Sequence, residues 1–101
     1  MINSKRFEIE RLEQIQKVCS KILSLHFNAT QGQSEIEELQ KLAIYFDDSI
    51  GGNVDLMRKH FEKFERYKRR SDKERNLARC KYHIQSISRV VSAMLETLHN
   101  S

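Results

Sequence analysis

The amino-acid sequence predicts an all-α protein, folded as an antiparallel bundle of about four helices. Three observations carry this expectation. The 101 residues contain no proline and only three glycines, Gly32, Gly51 and Gly52, so long stretches lack the strongest helix breakers. Apolar residues recur at steps of three and four through most of the chain. Two serine-led capping boxes mark helix starts. The expected helices cover about residues 4–28, 34–50, 54–70 and 72–99, in one domain spanning residues 1–101.

The first helix rests on Leu12, Ile15, Cys19, Ile22 and His26, widened by Ile9, Val18, Leu23, Leu25 and Phe27. So broad an apolar face predicts two neighbours. Asn3 or Ser4 is placed to cap its start, and Asn28 to Gln33, with Gly32, reads as a turn. In the second helix, Ser34-Glu35-Ile36-Glu37 is a capping box. Ile36, Leu39, Ala43, Phe46 and Ile50 follow, and Gly51-Gly52 is the expected stop.

The third helix is expected to start at an Asn53 cap and to bury Val54, Met57, Phe61 and Phe64. Ser71-Asp72-Lys73-Glu74 is the second capping box. Beyond it Leu77, Cys80, Ile84, Ile87, Val91, Met94 and Leu98 keep a regular stripe, broadened by Val90 and Leu95. Extending the phase from Phe64 predicts apolar residues at 75 and 78, yet the stripe restarts at Leu77. That slip predicts a turn near Tyr67 to Asp72. The alternative is a single helix through the whole segment, which would need a dimer partner to cover its apolar faces.

Charge is unevenly distributed. Residues 1–50 hold six Lys/Arg against eight Asp/Glu, whereas residues 51–101 hold twelve against six. Lys59, Lys63, Arg66 and Arg70 recur at steps of four, three and four, on a face about 160° from Phe61 and Phe64 at 100° per residue. Arg75, Arg79, Tyr82 and Arg89 share an outer face of the fourth helix, and Arg69 and Lys73 add charge near the turn. Tyr67 and Tyr82 lie among these cations. The candidate partner-binding residues are therefore Lys59, Lys63, Arg66, Arg69, Arg70, Arg75, Arg79, Tyr67 and Tyr82. Such a surface suits an acidic protein partner, or nucleic acid through its phosphates. Glu62 with Arg66 and Glu65 with Arg69 are spaced to pair and to offset part of the charge.

Other chemistry is thinly supported. Cys80 and His83 have C-x-x-H spacing, and Cys19 and His26 share a face, but zinc needs four convergent ligands. Glu96-Thr97-Leu98-His99 has the spacing of di-iron bundles, without the second copy such sites need. His26 and His60 lack a sequence motif completing a catalytic set. Asp47 and Asp48 read as an acidic pair late in the second helix, where the macrodipole disfavours them. No catalytic, cofactor or metal residues are expected. The sequon Asn28-Ala29-Thr30 is read as chance, because no secretory signal is recognised at Met1 to Arg6.

Two cysteines on helical stripes are too few for a disulfide framework and predict buried thiols in a reducing, cytoplasmic setting. No apolar run approaches the length of a membrane span. The expected function is a non-enzymatic binding protein, a regulator, inhibitor or adaptor acting on a protein partner. Nucleic-acid binding is the alternative, and a structural homo-oligomerisation module the second. A homodimer seam on Ile84, Ile87, Val90, Val91, Met94, Leu95 and Leu98 competes with a central bundle helix touching two others.

Overall fold

A computed structural model describes residues 4–24 and 32–100. The expectations placed on Asn3, Leu25, His26, Phe27 and the Asn28-Ala29-Thr30 sequon lie outside the described residues. All of the described elements are helical. They form three runs of chain, and a short 3-10 turn divides the middle run. The elements are α1 (Ser4–Ser24), α2 (Gln33–Ala43), the 3-10 turn (Ile44–Phe46), α3 (Asp47–Arg66) and α4 (Arg70–His99).

α4 is the spine. It packs against α3 and also against α1, while α2 packs against α1 and α3. The pairs Asn53–His83, His60–Asn76 and Phe64–Lys73 set α3 antiparallel to α4. Gln16 Nε2 donates to Ser92 Oγ at 2.7 Å, where α1 crosses α4. Lys21–Glu35 and Phe7–Tyr45 run α2 back along α1. Leu12, Ile15, Ile22, Leu39, Met57 and Ile84 form the fully buried centre. Burying each such side chain contributes roughly 1.5–3 kcal/mol before ordering costs.

The middle run corrects the expected boundaries. Its break falls at Ile44–Phe46, not at Gly51-Gly52, which lie inside α3. Phe46 leaves the helical region (φ −119°, ψ 33°), and the bend lets α2 reach α1 while α3 reaches α4. Neither glycine adopts positive φ. Gly51 is instead a site of close approach, since an added Cβ would meet the Asp47 carboxylate. Asp47 and Asp48 therefore stand in the first turn of α3, where the macrodipole favours them. Asn53 is not a cap; it lies within α3 and faces α4.

Neither capping box forms. α2 starts at Gln33 after Gly32, and α4 starts at Arg70 after Arg69, in both cases without a side-chain cap bond. Each helix begins before its serine, which places the hydroxyl inside the first turn. Glu74 pairs instead with Arg70, and Asp72 with Arg75. The chain does turn between Phe64 and Leu77. Tyr67 and Arg69 are extended (ψ 140° and 131°), so α3 and α4 fold back as a hairpin and the single-helix alternative is overturned. Lys73 secures this turn. Its Nζ donates to the Phe64 carbonyl at 2.8 Å and stands 5.0 Å from the centre of that ring.

Candidate partner-binding site

The α3–α4 turn gathers part of the expected basic surface into one place. Lys63 comes from the last turns of α3 and Tyr67 follows its end, while Arg75 and Arg79 rise from α4 one turn apart. With Asp72 and Asn76 they line an open hollow of about 370 Å³. Its walls carry three cations against one carboxylate, and that carboxylate lies 3.9 Å from Arg75. Lys63 is half-buried, whereas Arg75 and Arg79 are exposed.

The other expected residues, Lys59, Arg66, Arg69, Arg70 and Tyr82, are exposed and do not line the hollow. Arg70 is held by Glu74 at 3.0 Å. The expected pairs of Glu62 with Arg66 and Glu65 with Arg69 do not form; Glu62 turns back to Arg58 at 3.7 Å. Lys59, Lys63, Arg66, Arg69 and Arg79 consequently make no ion pair among the described residues. Lys73 is withdrawn from the surface by its bond to Phe64. Tyr82, 61% exposed, lies edge-on to His83 rather than at the hollow.

Beneath the hollow lies a polar ladder that periodicity does not reveal. Asn76 is only 5% exposed and is the one polar side chain in the described core. Its Nδ2 donates to the Asp72 carbonyl at 2.8 Å. Its Oδ1 therefore accepts, which assigns the proton to His60 Nδ1 at 3.1 Å. The His60 ring stacks on His83, with centroids 5.7 Å apart and planes 5° from parallel. His83 Nδ1 in turn meets Asn53 Oδ1 at 3.1 Å. Burial, and then the neighbouring His60, hold the His83 pKa below its ordinary value. This ladder fixes the register of α3 on α4 and so the spacing of Lys63 from Arg75 and Arg79.

A second unforeseen feature is aromatic. Phe7 and Tyr45 meet edge to face at 5.2 Å, and the Arg11 guanidinium lies 5.3 Å from one ring centre and 5.1 Å from the other. Tyr45 is 60% exposed and Ile44, beside it, 74%. The bend at Ile44–Phe46 brings these side chains out, and the stripe running through residues 36–50 gives no sign of that bend.

Among the described residues no group of three or more His, Cys, Asp or Glu converges as a metal site. Cys19 and Cys80 are buried free thiols, each pushed up to about 12 by burial. No described helix is long and apolar enough to cross a membrane. Comparison of the chain with protein-family models, curated proteins and solved structures gives no match.

Proposed function

We propose that this chain is a non-enzymatic binding protein of the cytoplasm, a regulator, inhibitor or adaptor, that presents the tip of the α3–α4 hairpin to an acidic protein surface. The observation that carries this reading is the hollow where Lys63, Arg75 and Arg79 converge beside Tyr67. Among the described residues that line it, Asp72 alone carries an opposing charge. A partner carboxylate entering there would meet cations carried on two packed helices, so the backbone is already ordered and only the side chains have to be fixed on binding. The surrounding cations would chiefly accelerate encounter and select against basic partners. Tyr67 supplies flat apolar area of the kind enriched in binding hot spots.

Nucleic acid is the second reading. It is favoured by the unpaired cations Lys59, Lys63, Arg66, Arg69 and Arg79 and by the exposed Tyr67 ring, on which a base could stack. One experiment separates the two. Wild-type protein and the Lys63→Glu/Arg79→Glu variant are immobilised and challenged with nuclease-treated lysate. The same pair is titrated with mixed-sequence DNA and RNA across a salt series. An acidic protein retained by the wild type and lost by the variant supports the proposal. It fails if the two forms retain the same proteins. Nucleic-acid affinity with a steep salt slope, lost in the variant, would move the assignment to the second reading.

A further inference from the structure

We propose that the chain also self-associates, forming a homodimer in which the C-terminal halves of two α4 helices pack antiparallel about a two-fold axis. The inner face of α4 is already occupied, since Ile84, Ile87, Val91 and Leu95 are buried within the fold. A second stripe runs beside it. Ser86, Val90, Ala93 and Thr97 recur at steps of four, three and four, the spacing of a two-helix seam. The two hydroxyls fold back onto the helix: Ser86 Oγ donates to the Tyr82 carbonyl at 3.1 Å, and Thr97 Oγ1 to that of Ala93 at 3.0 Å. Their polar groups are thus satisfied, and the stripe presents mostly carbon. Val90, Ala93, Met94 and Thr97, with Glu8 of α1, border an open groove of about 430 Å³.

The groove is open because α3 stops short of it. Asn53 is level with His83, and α3 extends back only to Asp47. At the same rise per residue in both helices, Asp47 stands level with about residue 89. Beyond that point, at Val90, Ala93 and Thr97, one side of α4 has lost its neighbour, while Ser86, a turn earlier, is half-buried at the edge of the stripe.

Charge selects a second copy as the occupant. When Val90 and Thr97 occupy a positions, Ser86 and Ala93 occupy d, and Arg89 and Glu96 both occupy g, on one flank of the seam. Antiparallel helices join a to d across the core and place g against g. The register that seats Val90 on the partner's Ala93 also seats Ser86 on the partner's Thr97. It sets Arg89 against the partner's Glu96 and, by the two-fold, Glu96 against the partner's Arg89. Both side chains are exposed, and neither makes an ion pair among the described residues. A parallel pairing would put Arg89 against the partner's Met94 and leave both charges unmatched. One patch therefore complements itself, as an isologous interface requires. Ala93 at its middle permits close approach of the two helices. With few core layers, the dimer is expected to be weak and reversible.

Sedimentation equilibrium at low ionic strength, over a concentration series, tests this. The wild type is expected to show a reversible monomer–dimer equilibrium. Arg89→Glu and Glu96→Arg should each weaken it by about tenfold, because two symmetry-related attractions become repulsions. The combined Arg89→Glu/Glu96→Arg variant restores opposite charges across the axis and should recover the wild-type constant. Ala93→Glu, a change at an exposed position, should abolish the dimer while circular dichroism still reports a folded chain. A strict monomer at about 1 mM would overturn the proposal and leave the groove to another partner or to solvent. A dimer indifferent to the single reversals, or a combined variant whose losses add, would overturn it equally. The groove is remote from the hairpin tip, so either surface can fail alone.

Discussion

At the scale of single residues, Asn76 and His83 tie α3 to α4 through hydrogen bonds that add to the apolar packing between the two helices. Asn76 makes three contributions at once: it bonds Asp72, receives His60 and lines the basic hollow. We predict that Asn76→Ala costs roughly 1–3 kcal/mol, since it leaves a cavity and strips His60 of its acceptor. Urea unfolding measures this, and an unchanged midpoint would show that the ladder contributes nothing. His83 links the same ladder to pH. Its folded pKa lies below the ordinary 6.5, so the unfolded chain takes up the proton more readily. The stabilisation is complete above about pH 6.5 and is lost as the pH falls through the lower folded value. We therefore expect the melting temperature to drop between about pH 7 and pH 5, and to drop less in His83→Gln. Equal slopes in both proteins would remove His83 as the cause.

At the scale of elements, the α3 glycines separate the expected boundaries from the observed ones. Gly52 is exposed, helical and free of neighbours within 4 Å of an added Cβ. Gly52→Ala should accordingly stabilise the fold by about 0.5–1 kcal/mol, the ordinary gain of alanine over glycine within a helix. Had Gly51-Gly52 ended the helix in a left-handed turn, the same change would destabilise, so a lowered melting temperature would contradict the boundary. The phase slip after Phe64 was legible as a turn because an apolar stripe cannot change phase within one straight helix. The bend at Ile44–Phe46 was not legible. Ala43, Phe46 and Ile50 keep three- and four-residue steps through it, and all three remain buried. A tight 3-10 turn preserves the period that a loop would have broken. The capping boxes misled for a related reason: local hydrogen-bonding patterns are weak beside the packing that sets where each helix begins.

At the scale of the whole molecule, the fold is long, 53 Å by 22 Å by 20 Å, and its surfaces are segregated along that length. The basic tip stands at the start of α4, while the α4 groove flanks its C-terminal half. Phe7, Arg11 and Tyr45 cluster where α1 begins and α2 ends. The tip cations are spread on exposed or half-exposed positions outside the core. We expect Lys63→Glu with Arg79→Glu to change stability by no more than about 0.5 kcal/mol per site, so that any loss of binding is not a loss of fold. Thermal unfolding of that variant checks the point, and a marked drop in its melting temperature would mean that the tip charges also serve the fold.

By itself the sequence determined the helical class, most of the apolar core and the identity of the cations. Each of these follows from residue type and from a period of three to four, which a chain without proline expresses directly. Tertiary structure alone decided which cations meet. Lys63, Arg75 and Arg79 share one hollow because α3 and α4 fold back in the register set by His60 on Asn76 and Asn53 on His83. Arg70 is held by Glu74, and Lys73 is tied to the end of α3. Helical periodicity assigns a residue to a face of its own helix. Height and rotation against a neighbouring helix depend on contacts between segments far apart in the chain, and those contacts fixed the shape that a partner would meet.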